Sequence, residues 1–212
     1  DVFINYSGSC ILREEYMACR SKVYLDTDPL YNQAGIPDYI RGTADETTRW
    51  AVDYVRQHDK FLSFGENIGK PRCTIPTALF TWQPTRQPVV IDYWEKPSTP
   101  VRDVYTTVMS WQPTEGTATV DGVVYGGKHA EFGKVINLPR RTSQVLELAI
   151  GGGLPPIDCL RQHGWQVVEG YSASSDPLKY REYICTSKAE FSVAKHAYVA
   201  TRSGWFSCRS AC

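Results

Sequence analysis

Short apolar runs that end in polar or acidic residues recur through the first third of the chain: VFINYSGS, VYLDTDP and KFLSFGENIG. Near-continuous apolar strands of this kind predict a parallel sheet buried on both faces. Between the last two, TADETTRWAVDYVRQH predicts a helix. Thr43 and Glu46 stand at capping-box spacing there, and Trp50, Val52, Tyr54 and Val55 supply apolar bulk. Ligands of such sheets sit outside the strand carboxyl ends. Those ends carry Ser7 and Gly8, Asp26 and Asp28, and Glu66 and Asn67.

Prolines at 76, 84, 88, 97 and 100 then disfavour a long helix or a central strand and predict an interdomain linker ending near Asp103. From Val104 the pattern alternates. VYTTVMSW, SQVLELAI, WQVVE and EFSVAK read as strands, and TATVDGVVYGG as a hairpin turning at Asp121-Gly122. KHAEFGKVINL reads as a helix, as does PPIDCLRQHG with Gly164 just past its end. DPLKYREYICTS reads as a helix with Asp176 as N-cap and Pro177 in its first position. This alternation predicts an α/β architecture of parallel sheets with flanking helices.

Composition narrows the partners. Lysine plus arginine equals aspartate plus glutamate at 23 each, so no broad field for nucleic acid or an anionic membrane is expected. No apolar run reaches the length of a membrane span. Seven cysteines without C-x-x-C spacing predict reduced thiols in a cytoplasmic protein rather than a disulfide framework or zinc ribbon. Cys208 and Cys212 have helical i, i+4 spacing, but the four histidines offer no matching pair, so no metal site is expected there.

Four stretches carry candidate chemistry. LDTDP places Asp26 and Asp28 after a buried strand. They can cap a turn with Pro29 opening a helix, bind a ligand, or hold a divalent cation as in metal-dependent phosphatases and transferases. GENIG and AIGGGLPP are glycine-rich turns suited to a phosphate or a sugar, though neither fits a dinucleotide or P-loop fingerprint. FSVAKHAYVATRSGWFS, with the residues that follow, puts Lys195, Arg202 and Arg209 after an apolar strand, with Ser203 and Gly204 opening a helix, a suitable seat for a diphosphate. No G-x-S-x-G is present, and no cysteine or serine pairs with a histidine as a nucleophile.

Taken together, LDTDP, FGENIG, WQPTRQPVV, YTTVMSW, LPRRT and EFSVAKHAYVATRSGWFSCRSAC resemble a bacterial family of predicted glycosyltransferases with the GT-B fold, over nearly the whole chain. The resemblance implies an internal fragment of a longer protein. Residues 1–83 would be the later part of an acceptor-side Rossmann-like domain, 84–103 a linker, and 104–212 the first half of a donor-binding Rossmann-like domain. It also implies transfer of a sugar from a nucleotide-sugar to a glycan or small-molecule acceptor, with no metal or cofactor. Lys128, Lys195, Arg202, Ser203, Gly204 and Arg209 would hold the donor diphosphate, and Ser7 and Asn67 would line the acceptor side. One of Asp26, Asp28 and Glu66 would act as general base. The family's glutamate pair falls near Gly204 and Cys212, neither of them acidic, which leaves open a non-catalytic nucleotide- or glycan-binding module. Exposed sheet edges predict self-association.

Overall fold

The structure is a computed structural model that describes residues 1–95, 102–112 and 116–212. The chain is mixed α/β, with two four-stranded parallel sheets, a two-stranded hairpin and helices beside the strands. The strands are β1 (Val2–Tyr6), β2 (Ser21–Asp26), β3 (Lys60–Ser63), β4 (Trp82–Pro84), β5 (Val104–Ser110), β6 (Ala118–Val120), β7 (Val123–Tyr125), β8 (Val145–Gly151), β9 (Gln166–Glu169) and β10 (Ala189–Glu190). The α-helices are α1 (Glu14–Met17), α2 (Ile36–Arg41), α3 (Glu46–Val55), α4 (Lys128–Phe132), α5 (Ile157–Gln162), α6 (Gly170–Ser174), α7 (Pro177–Thr186), α8 (His196–Ala200) and α9 (Cys208–Ala211).

Two compact units result. The first comprises Asp1–Gln87, Ala118–Tyr125 and Ala197–Phe206, and the second Pro88–Thr117, Gly126–His196 and Ser207–Cys212. In the first unit the strands lie in the order β1-β2-β3-β4, every neighbour parallel. Tyr24, Ile36, Val52, Val55, Phe64 and Trp82 are buried in it. β1 ends the sheet, and its Val2, Ile4 and Tyr6 are exposed. The proline-rich stretch does contribute a strand, β4, but at the sheet's other end, where a proline is tolerated.

Helix α3 forms where the pattern places it, with two local differences. Its N-cap is Asp45, which accepts the Thr48 N–H at 2.7 Å, while the Thr43 hydroxyl turns back to Asp38 at 3.1 Å. Val52 and Val55 face the core, but Trp50 is exposed and stacks on Tyr54 with ring centroids 5.3 Å apart.

The second sheet has the order β10-β5-β8-β9, all parallel. From β5 the chain proceeds outward through β8 to β9, then returns to the other side of β5 as β10. Strand order therefore reverses at β5. Met109, Leu146, Leu148 and Ile150 from the sheet pack with Phe132, Leu160, Trp165 and Val193 into one core. Asp176 caps α7 by accepting the N–H groups of Leu178 and Lys179, as its sequence predicts. The expected strand EFSVAK pairs only through β10, and Phe191 donates one further bond to the Thr106 carbonyl.

Within the expected linker, residues 91–95 pack against α7. Ile91–Trp94 forms a 3-10 turn, with the Trp94 ring 6.0 Å from Tyr180 of α7 and the Glu95 carbonyl accepting from Arg181 at 3.1 Å. An edge-on aromatic contact and a guanidinium–carbonyl bond anchor this segment. Pro97 and Pro100 of the expected linker lie outside the described residues.

Candidate functional site

The carboxyl ends of the first sheet are occupied by the chain itself. Asp26, the last residue of β2, has no exposed surface. Its carboxylate accepts from Ser63 Oγ at 2.7 Å, Asn32 Nδ2 at 2.8 Å, Gln33 Nε2 at 2.9 Å and the Asp28 N–H at 3.2 Å. Burial pushes its pKa up while those four donors oppose the shift. This carboxylate is a hub that ties β2, β3 and the turn after β2 together. Neither Asp26 nor Asp28 caps a helix beginning at Pro29, since α2 begins at Ile36.

Asp28 accepts the hydroxyl of Tyr198. Tyr198 is buried and stacks on Trp205, centroids 4.5 Å apart, and the Trp205 indole N–H donates to the Thr27 carbonyl at 3.1 Å. Asn67 receives the next residues: its backbone N–H donates to the Ser203 carbonyl at 2.9 Å and its side chain to the Arg202 carbonyl at 3.3 Å. A Cβ on Gly204 would stand 2.8 Å from Asn67 Nδ2, and Gly204 has φ 71°, so the turn needs a glycine. Ser203 and Gly204 thus make a clasp across the loop after β3 rather than a helix start. The helix that follows, α9, is capped by Ser207. Glu66 pairs with Arg86 at 3.3 Å, and the Ser7 hydroxyl bonds to that of Thr27.

The second unit gathers the other basic residues. Lys128, the first residue of α4, is 7% exposed, and its ammonium makes no hydrogen bond or ion pair among the described residues. Burial above all, together with the neighbouring charges of Arg209 and Lys195 and against an opposing pull from Glu190, lowers its pKa to about 7. Arg209 has its Nε buried and unpartnered among the described residues. Of the expected diphosphate ligands, Lys128, Lys195 and Arg209 therefore come together here. Arg202, Ser203 and Gly204 belong to the first unit.

Arg209 also lines a cleft of about 530 Å³ at the carboxyl ends of β5, β8 and β9. Ser110, Gly151, Gly152, Glu169 and Gly170 form its walls. Gly152 and Gly153 have φ of 69° and 64°, so the turn after β8 holds two successive left-handed residues. A Cβ on Gly170 would stand 2.9 Å from the Ile150 carbonyl carbon, which is why the chain after β9 can lie directly against β8.

AIGGGLPP stands out in the sequence as a glycine-rich turn, whereas Glu169, the acid that ends the next strand, does not. The signal was a glycine-rich turn, a helix and then a strand closing on a carboxylate. All seven cysteines are free thiols. Among the described residues no group of three or more His, Cys, Asp or Glu side chains is placed to hold a metal ion, and no helix is long and apolar enough to cross a membrane. Comparison of the chain with protein-family models, curated proteins and solved structures found no match.

Proposed function

We propose that the second unit binds the diphosphate of a nucleotide-sugar and that the chain is part of a glycosyltransferase with a GT-B-like architecture. The observation that carries this reading is the Lys128–Arg209 arrangement. The Lys128 side chain is buried and its ammonium makes no hydrogen bond or ion pair among the described residues, Arg209 Nε is buried and without a partner among them, and two like charges so placed raise the energy of the folded chain. An anion seated between them would relieve that cost. The location supports the reading too, because ligands of open parallel sheets sit where strand order reverses, and here the order reverses at β5. In sugar transfer such cations stabilise the charge that develops on the departing diphosphate, without a metal.

A second reading, a nucleotide-binding module without turnover, has its own support. Of the three acids considered as base, Asp26 is sealed, Asp28 accepts from Tyr198 and Glu66 is paired with Arg86. Titration with UDP, GDP and ADP by calorimetry, followed by a product assay with the matching nucleotide-sugars, tests both. Binding that is lost in Lys128→Met supports the diphosphate site, and product formation then distinguishes enzyme from module. Binding unchanged in Lys128→Met overturns the site.

A further inference from the structure

The cleft beside Arg209 has a second polar wall, which the diphosphate reading leaves unused. Glu169 ends β9 and stands in register with Ile150 of β8, next to the glycine turn at Gly151. Its two oxygens are held separately: Oε1 accepts the Tyr171 N–H at 2.8 Å and Oε2 the Ser172 N–H at 2.7 Å. The carboxylate is therefore fixed in orientation yet exposed, and each oxygen keeps a further lone pair. Two parallel acceptors with no donor of their own match a pair of adjacent hydroxyls. They repel a phosphate.

The cleft is thus bipolar, with an anionic acceptor at the end of β9 and the Arg209 cation on the same lining. We infer that Glu169 binds the 2′,3′-diol of a ribonucleotide whose phosphates lie toward Arg209, which makes it the residue that selects ribose over 2′-deoxyribose. This rests on the nucleotide-sugar reading above and assigns its sugar-recognition residue. The chemical reasoning is that of any βαβ unit in which a glycine turn lets the ligand approach and an acid at the end of the following strand accepts from ribose. The close approach at Gly170 is part of the same device, because it brings the Glu169 backbone against the glycine turn.

The test is calorimetric titration of the whole chain with UDP, ADP and GDP and with their 2′-deoxy counterparts, on wild type and on Glu169→Gln. Losing one hydroxyl bonded to a carboxylate should weaken binding on the order of tenfold or more in wild type. Glu169→Gln should weaken the ribonucleotides and bring the two series together. Equal affinity of wild type for ribo and deoxy forms overturns this inference and leaves the diphosphate site standing. Failure of every nucleotide to bind overturns both. Should Glu169→Gln unfold through loss of the cap to α6, the wild-type comparison decides alone, and Glu169→Asp, which keeps the charge, gives a second measure of the discrimination.

Discussion

Arg102 places Nη2 at 2.8 and 2.9 Å from the two oxygens of Glu147, so this buried carboxylate of the second unit is matched, with Tyr183 donating a further bond at 2.8 Å. Lys128, in the same unit, has no such counterpart among the described residues. The contrast separates a buried charge that holds the fold together from one that burdens it.

The burden on Lys128 has a measurable pH dependence. An unfolded lysine titrates near 10.4, and burial brings Lys128 to about 7. The folded chain binds this proton less well than the unfolded chain. Stability is therefore greatest above the unfolded pKa, falls as pH drops from about 10 toward 7, and is fully reduced below that. Lys128→Met should raise stability at pH 7 by on the order of 2–4 kcal/mol and flatten the slope between about pH 7 and 10. Urea unfolding at the two ends of that range measures both. A less stable variant would mean that Lys128 is paired after all.

The same group should make nucleotide binding consume a proton. A diphosphate beside Lys128 favours its charged form, while the phosphates of UDP are already ionised above about pH 7. Affinity for UDP should fall as pH rises from about 7 to 9, and calorimetry at pH 8 in HEPES and in Tris should show net proton uptake. Buffer-independent heats would exclude Lys128 from the site.

What could be read from the sequence was local. The Asp121-Gly122 turn, with φ of 48° and 79°, and the Asp176 cap follow from residue types within a few positions of each other. The clasp of Arg202 to Gly204 on Asn67 could not be read that way, since it joins residues far apart in sequence and the serine and glycine also suit a helix start. Lys128 runs against composition, because lysine is almost never buried without a partner. Glu169 needed the register with Ile150 before its position beside the glycine turn had meaning.

Asp26 should prove structural. Asp26→Asn would set an amide NH2 among the four donors that now converge on the carboxylate, leaving at least one of them opposed. The expected loss is on the order of 3 kcal/mol, seen as a lower urea midpoint that magnesium or manganese does not restore. A variant of wild-type stability that loses a manganese-dependent activity would instead support the metal reading of Asp26 and Asp28.

His58 should set the acid limit of the first unit. It is buried with Nδ1 at 3.0 Å from the Val55 carbonyl, so that nitrogen carries the proton and Nε2 accepts from Asn5 Nδ2 at 3.0 Å. Tyr24 and Tyr54 pack edge-on against the ring, at 5.2 and 5.8 Å between centroids. A second proton would meet the Asn5 NH2, and burial already holds the imidazole below its usual pKa. With the folded pKa depressed, the contribution of neutral His58 is fully present above the unfolded value of about 6.5 and is lost as pH falls through the folded one. His58→Gln can keep an acceptor toward Asn5 but has no proton to gain. Its unfolding midpoint should vary less than that of wild type between about pH 7 and 5, and parallel curves would remove His58 as the source of acid sensitivity.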